Sequence, residues 1–227
     1  MKVFIRGILF DMDGVLVSSL GSVERSWTKW AERHGIDAAT VIHEAHGQRA
    51  IETVRKLRPD LNAAAETALI EELEVEDTDD LKVLEGVEPL LQLLPQKNWT
   101  IVTSATNRLA RARLGHAGIA VPERFITADM VEHGKPHPEP YLRGAELLGF
   151  APKDCLVIED SASGARAGHA AGCKVLTTLF SHTVEELLAA DWIVPSLTDV
   201  KFSVSGDGIE LEFEPLPREV AVLAAKK

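Results

Sequence analysis

The chain has 227 residues, of which 45% are hydrophobic, and this is enough for one sizeable core with a small second domain. Its 24 lysine and arginine residues against 35 aspartate and glutamate residues give a net charge of −11, so nucleic acids and anionic membranes are disfavoured as partners. The two cysteines, Cys155 and Cys173, have no metal-site spacing, and we expect no disulfide framework and a cytoplasmic location.

The first predicted element is a buried strand over residues 3–10, with the sequence VFIRGILF. Its apolar run is too short to cross a membrane, and we expect neither a signal peptide nor a transmembrane helix. The strand runs directly into Asp11 and Asp13, which Gly14 follows. Carboxylates at the end of a buried strand repel each other and resist desolvation, so their presence there needs an explanation.

The segment over residues 17–83 is predicted to be helical, without a strand. Its first helix is expected to begin at Ser22 as N-cap and to stop at Gly35. We interpret the segment as a helical cap inserted after the first strand. The expected helices cover residues 22–34, residues 39–57 with a break near Gly47, and residues 62–77.

From residue 84 onwards the pattern alternates between strand and helix, which predicts an α/β fold with a parallel sheet covered on both faces. Residues 200–213 predict a hairpin around Gly206-Asp207-Gly208, to which we assign no role. The catalytic core would then comprise residues 1–16 and 84–227. Strands are expected over 99–104, 124–128, 154–160, 173–179 and 191–195, and helices over 107–117, 139–148, 162–172 and 183–190.

Polar residues follow the predicted strands, and in an open α/β sheet the ligand site lies at the carboxyl ends of the strands. We therefore expect these residues to converge at one edge. Four carboxylates at such density favour a hard divalent cation, and Mg²⁺ prefers oxygen ligands. The residues concerned are Asp11, Asp13, Thr103, Ser104, Asn107, Lys135, Glu159 and Asp160.

This set of residues suits phosphoryl transfer. Asp11 would attack phosphorus as a carboxylate nucleophile, and Asp13 would protonate the leaving alcohol and then deprotonate water. Lys135 and Ser104 would bind the phosphate oxygens. Mg²⁺ would be bound by the carboxylates of Asp11 and Asp160 and by the backbone carbonyl of Asp13.

Four motifs in this order resemble those of the haloacid dehalogenase-like phosphohydrolases: FDMDGVLVSS, TSAT, GKPHPEP and VIEDSASGARAGHAAG. More narrowly, VIHEAHGQRAIETVRKLRPD and GKPHPEPYLRGAELLGF resemble the 2-deoxyglucose-6-phosphate and glycerol-3-phosphate phosphatases. The resemblance implies a Rossmann-like core, a C1-type helical cap, Mg²⁺ and hydrolysis of small sugar or polyol monophosphates. Val15 departs from the family, which often has threonine there.

The resemblance also implies roles for individual residues. Asp11 would be the nucleophile and Asp13 the acid/base, while Glu159 would bind the metal directly or through water. Arg49 is either a surface residue of a turn between helices or a substrate contact. The predicted metal set is Asp11, Asp13, Glu159 and Asp160, and the predicted substrate-binding set is Gly14, Arg49, Ser104, Ala105, Asn107 and Lys135.

Other readings stay open at this point. Ser104 is also a candidate helix cap, and Trp27 and Trp30 are expected in the core of the cap rather than stacked on substrate. The main functional alternative is a β-phosphoglucomutase-like phosphotransferase, which returns phosphate to a sugar hydroxyl. A non-catalytic binding module is disfavoured because both Asp11 and Asp13 are present. We expect a monomer, which suits movement of the cap.

Overall fold

The computed structural model describes residues 1–217, and its centre is a five-stranded parallel sheet in the order β5-β2-β6-β7-β8. The predicted α/β class is confirmed. Within the described residues the strands are β1 (Lys2–Ile5), β2 (Gly7–Phe10), β3 (Val17–Ser18), β4 (Lys82–Val83), β5 (Trp99–Ile101), β6 (Cys155–Glu159), β7 (Lys174–Thr178), β8 (Trp192–Val194), β9 (Lys201–Ser205) and β10 (Gly208–Glu212). The α-helices are α1 (Leu20–His34), α2 (Ala38–Ala45), α3 (Ala50–Leu57), α4 (Ala63–Glu76), α5 (Val87–Leu93), α6 (Asn107–His116), α7 (Glu139–Leu148) and α8 (Ala162–Ala170).

Helices cover both faces of this sheet because successive strand residues point to opposite sides. Leu9 packs in one buried cluster with α7 and α8, and Phe10 packs in the other with α5 and α6. Cys155 and Cys173 are buried free thiols. Among residues 1–217 there is no helix with the length and apolar character needed to cross a bilayer.

The predicted first strand is in fact two strands in different sheets. β2 pairs in parallel with β5 and β6, whereas β1 pairs antiparallel with β10 of the C-terminal hairpin. The two strands are separated at Arg6, whose backbone N–H donates to Asp154 O at 2.8 Å and does not continue the pairing of β1. β1 alternates exposed and buried residues, while β2 is buried throughout, which fits their different sheets. The hairpin prediction is confirmed: β9 and β10 form the hairpin, and β10 pairs with β1.

Helices α1–α4 form a group with its own apolar cluster, which includes Trp27, Trp30 and Ile70. The break between α2 and α3 falls where it was predicted, around Gly47. The prediction of no strand in this segment was wrong at its ends, because β3 and β4 form a two-residue antiparallel pair. That pair joins the two chain segments that lead into and out of the helices.

Other local predictions also need correction. The residue before α1 is Ser19, and Ser22 lies buried within the helix. Residues 124–128 form no strand, because only Ile126 bridges to the sheet before a 3₁₀ turn begins at Ala128. Residues 183–190 form turns instead of an α-helix, because their backbone hydrogen bonds span three residues, as from Glu186 to Thr183 and from Leu187 to Val184.

Candidate active site

Three buried carboxylates meet at the carboxyl ends of β2 and β6. Asp11 directly follows β2, Glu159 ends β6 and Asp160 follows it. Each can offer an oxygen atom such that all three lie within 4.8 Å of one another. Lys135 lies between two of them, with its Nζ 2.6 Å from Asp11 Oδ1 and 2.7 Å from Glu159 Oε1. The convergence predicted from the strand ends is therefore present for these four residues.

The charges in this cluster do not balance, because three carboxylates face one ammonium group. Burial, opposed by Lys135, raises the pKa of Asp11 to about 7. Burial and then the carboxylates of Glu159 and Asp11 raise the pKa of Asp160 well above its usual range. Burial lowers the pKa of Lys135, but Asp11 and Glu159 raise it more, so Lys135 stays charged. The cluster suits an additional cation.

Glu159 is the most fully hydrogen-bonded of the three carboxylates. Its Oε1 accepts from Lys135 and from the Tyr141 hydroxyl at 2.7 Å, and its Oε2 accepts from Ser161 Oγ at 2.9 Å and from the backbone N–H groups of Asp160 and Ser161. Burial raises the pKa of Glu159, but Lys135 and the other hydrogen bonds lower it more. Five donors occupy the acceptor sites of a carboxylate, which leaves little room for a metal.

Tyr141 was missed by the sequence reasoning. It is the single tyrosine of the chain and lies fully buried on α7. Its hydroxyl needs a partner in such a position, and that requirement was the available signal.

Gly14 belongs to the site for a steric reason. Its φ is +80°, and a Cβ built on it would lie 1.9 Å from Asp160 Oδ2. A side chain here would push the Asp160 carboxylate out of the cluster. The sequence placed Gly14 among the substrate-binding residues, and the structure places it directly against Asp160.

Asp13 does not join the carboxylate cluster. Its Oδ1 accepts from Ser19 Oγ at 2.6 Å and lies 2.9 Å from Arg113 Nη1. Arg113, on α6, is buried and also lies 3.3 Å from Glu74 Oε2 on α4. The sequence reasoning missed Arg113 and Glu74, because nothing in the sequence brings two surface-type charges from distant helices together.

A cavity of about 410 Å³ lies between this sheet edge and helices α1–α4. Ser104 and Ala105 line it, as do Asp11, Asp13 and Asp160. Its volume falls in the range of sites for small molecules.

Ser104 faces the loop between α2 and α3. Its Oγ donates to Gly47 O at 3.2 Å, and Ser163 Oγ donates to the same carbonyl at 2.9 Å. Ser104 is not the cap of α6, since Thr106 accepts from the Leu109 N–H.

Arg49 and Asn107 lie in different places. Arg49 lines the cavity, but its guanidinium donates to Val131 O at 3.1 Å and to Glu132 O at 2.9 Å, in the loop before Lys135. The structure does not bring Asn107 to the cavity wall: it begins α6, and its Oδ1 accepts from Arg111 Nε at 2.9 Å.

Comparison with known proteins places this geometry in a family. A family model for haloacid dehalogenase-like hydrolases matches residues 5–172. The chain is 39% identical over 208 residues to hexitol phosphatase A of Escherichia coli (strain K12), covering 89% of this chain and 96% of that protein. It is 31% identical over 227 residues to glycerol-1-phosphate phosphohydrolase 2 of Saccharomyces cerevisiae, covering 92% and 91% of the two chains.

The fold is also similar to that of solved structures. The crystal structure of β-phosphoglucomutase from Clostridium difficile superimposes with a TM-score of 0.72 at 24% identity, covering 87% of this chain and 93% of that one. At this identity the likeness concerns the fold alone.

Proposed function

The chain belongs to the haloacid dehalogenase-like hydrolase family, and we propose that it is a Mg²⁺-dependent phosphatase of a small sugar or polyol monophosphate. The observation that carries this proposal is the buried cluster of Asp11, Glu159, Asp160 and Lys135, of which Asp11 and Asp160 line the cavity. Two relatives that align with most of the chain are named as phosphatases of hexitol and glycerol phosphates, and this supports the substrate class.

The donor set fits a hard divalent cation. With all three ionised, the buried carboxylates exceed the one ammonium by two negative charges, and every available ligand atom is oxygen, as Mg²⁺ prefers. We propose that Asp11, Asp160 and the Asp13 carbonyl bind Mg²⁺ directly. Glu159 would act through water, because five donors already occupy its carboxylate. Bound Mg²⁺ would offset carboxylate charge and lower the repulsion between Asp11 and an incoming phosphate.

Asp11 is proposed as the nucleophile that forms an aspartyl phosphate. Lys135 fixes its Oδ1 at 2.6 Å, which leaves Oδ2 to attack phosphorus. Lys135 and Ser104 would bind phosphate oxygens, and Ser104 would exchange its hydrogen bond with Gly47 O for one with substrate. Arg49 would hold the loop before Lys135 in place through its carbonyl contacts.

Asp13 is proposed as the general acid and base. It would donate a proton to the leaving alcohol oxygen and then take one from the attacking water. Ser19 and Arg113 both contact Oδ1 and orient the carboxylate.

The domain division follows from the same proposal. Residues 17–83 would act as a cap over a core of residues 1–16 and 84–227, excluding water from the cavity during the first step. The contacts of Gly47 with Ser104 and Ser163 would help to hold the cap closed. We propose that the protein works as a cytoplasmic monomer.

Phosphate release from a panel of monophosphates tests this function. Hexitol, hexose 6- and glycerol phosphates would be assayed with Mg²⁺ and with EDTA, with β-glucose 1-phosphate in the same panel. Mg²⁺-dependent release from polyol or hexose phosphates is expected, and Asp11→Asn should abolish it. No release from any compound, with β-glucose 1-phosphate converted to its 6-phosphate isomer, would instead show the mutase.

A further inference from the structure

Arg113 is a buried cation whose hydrogen-bonding capacity is largely unused. Its side chain is 4% exposed and lines the cavity. Nη1 contacts Asp13, but Nε and Nη2 have no hydrogen-bond partner within the described residues. A buried donor without a partner is unfavourable, because it has lost its hydrogen bonds with water. A ligand that accepts from these atoms would remove that cost.

Glu74 supplies an acceptor at the same place. Its Oε2 lies 3.3 Å from Arg113 Nη2 in a geometry that is not a hydrogen bond, and its side chain is 8% exposed. Burial raises the pKa of Glu74, and the nearby Arg113 and a hydrogen bond with Trp27 only partly oppose this rise. Donors and an acceptor therefore stand side by side in the cavity wall, one on α6 and the other on α4.

We propose that Arg113 and Glu74 bind hydroxyl groups of the substrate and so select polyols. This inference rests on the phosphatase function proposed above. A hydroxyl both accepts and donates, so it can accept from Arg113 and donate to Glu74 at once.

The local charge excludes a second anionic group on the substrate. Arg113 stands between the carboxyl groups of Asp13 and Glu74, at 2.9 Å and 3.3 Å. With both carboxyl groups ionised the trio carries one negative charge, and with Asp13 protonated, as its proposed role as general acid requires, it carries none. No positive excess remains for a second phosphate or carboxylate, whereas a neutral hydroxyl fits.

The position of Arg113 also indicates which hydroxyls are recognised. Asp13 is the proposed proton donor to the ester oxygen, and Arg113 contacts Asp13 directly. Arg113 and Glu74 would thus lie beyond Asp13 as seen from the phosphate. The hydroxyls that they bind would be on the carbons next to the phosphorylated one.

The test compares esters that differ only in these hydroxyls. The ratio of kcat/KM for glycerol 3-phosphate to that for propyl phosphate would be measured with Mg²⁺. The wild type is expected to prefer the glycerol ester by about 10- to 100-fold, the effect of one or two buried hydrogen bonds. Glu74→Ala should lower this ratio about tenfold.

Two further variants separate recognition from packing. Arg113→Lys keeps a charge beside Asp13 but loses the guanidinium fork, so the ratio should fall there too. Glu72→Gln is the matched control, because Glu72 is on the same helix and pairs with Arg108 of α6 at 2.7 Å, outside the cavity wall. This control should leave the ratio unchanged. Glu74→Gln, which keeps shape, repeats the test if Glu74→Ala is unstable.

The outcomes distinguish this inference from the function on which it rests. Equal losses on both esters in Glu74→Ala and Glu74→Gln, or a similar fall in Glu72→Gln, would overturn recognition by Glu74. Equal hydrolysis of both esters by the wild type would also overturn it and leave the phosphatase standing. Failure to hydrolyse either ester, or any other monophosphate, would remove the phosphatase itself.

Discussion

Lys135→Met should destabilise the protein strongly, because it removes the cation from a buried carboxylate cluster. The Nζ of Lys135 lies 2.6 Å from Asp11 and 2.7 Å from Glu159, and the side chain is 2% exposed. At an effective dielectric constant of 20 each contact corresponds to roughly 6 kcal/mol of gross attraction, offset by several kcal/mol of desolvation. Breaking a buried pair from one side costs about 3–5 kcal/mol, and we expect a loss in that range.

The loss should depend on pH in a defined direction. Without Lys135, the folded-state pKa of Asp11 rises further above that of the unfolded chain, and the pKa of Glu159 loses the largest contribution that lowers it. A carboxyl with a raised folded-state pKa destabilises the protein progressively as the pH increases above its unfolded value. Lys135→Met should therefore lose more stability at about pH 8 than at about pH 5.5. Added Mg²⁺ should recover part of the loss by offsetting the same charge.

Urea unfolding at both pH values, with and without Mg²⁺, provides the measurement. Lys97→Met is the matched control, since Lys97 is exposed and substitutions at such positions change stability by about 0.5 kcal/mol or less. A loss for Lys135→Met below about 1 kcal/mol, or one that is larger at the lower pH, would refute the charge account of this cluster.

Three further substitutions test single contacts of the site. Tyr141→Phe removes a buried donor to Glu159 and should cost about 1–3 kcal/mol in urea unfolding, and a cost near zero would contradict the role given to this hydroxyl. Ser104→Ala should raise KM for the best monophosphate about tenfold. Ser163→Ala loses a contact with the same Gly47 carbonyl, and its KM should stay within about threefold of wild type. Equal effects of the two substitutions would count against phosphate binding by Ser104. Gly47→Ala should raise KM as well, because Gly47 has φ +69° and a Cβ would lie 2.6 Å from Ser161 Oγ. An unchanged KM would show that the loop around Gly47 does not control access of the substrate to the cavity.

The residues at strand ends could be predicted because the chain order itself places them. Asp11 and Asp160 directly follow apolar strands, and parallel strands end at the same sheet edge. Lys135 came from the loop GKPHPEP, its role in phosphate binding followed from its charge, and the resemblance agreed with that role. The position of Asp11 and Asp160 is fixed by the strands that precede them, and the local sequence pattern predicts those strands.

The missed contacts join elements that are distant in sequence. Arg113 and Glu74 are separated by 39 positions on two helices, and each alone has the character of a surface residue. Arg49 was expected either on the surface or at the substrate, yet three-dimensional packing turns it to the carbonyls of residues 131 and 132. Such contacts depend on how helices pack against one another, and hydrophobic periodicity does not encode them.

The division of the predicted first strand into two also depends on contacts between parts of the chain that are distant in sequence. An unbroken apolar run predicted one element over residues 3–10, but Arg6 separates two strands whose partners differ. The partner of β1 is the C-terminal hairpin, about 200 residues away. Strand pairing of that range is a property of the whole chain and not of the local sequence.

Trapping of the phosphorylated enzyme tests the central claim most directly. The protein would be mixed with Mg²⁺ and the best monophosphate, quenched within the first turnover and reduced with borohydride, which converts an aspartyl phosphate to homoserine. Mass spectrometry of the peptide containing residue 11 should show homoserine at Asp11 and leave Asp13 unmodified. Phosphate release without modification of Asp11, or modification at Asp160 instead, would contradict the proposed nucleophile.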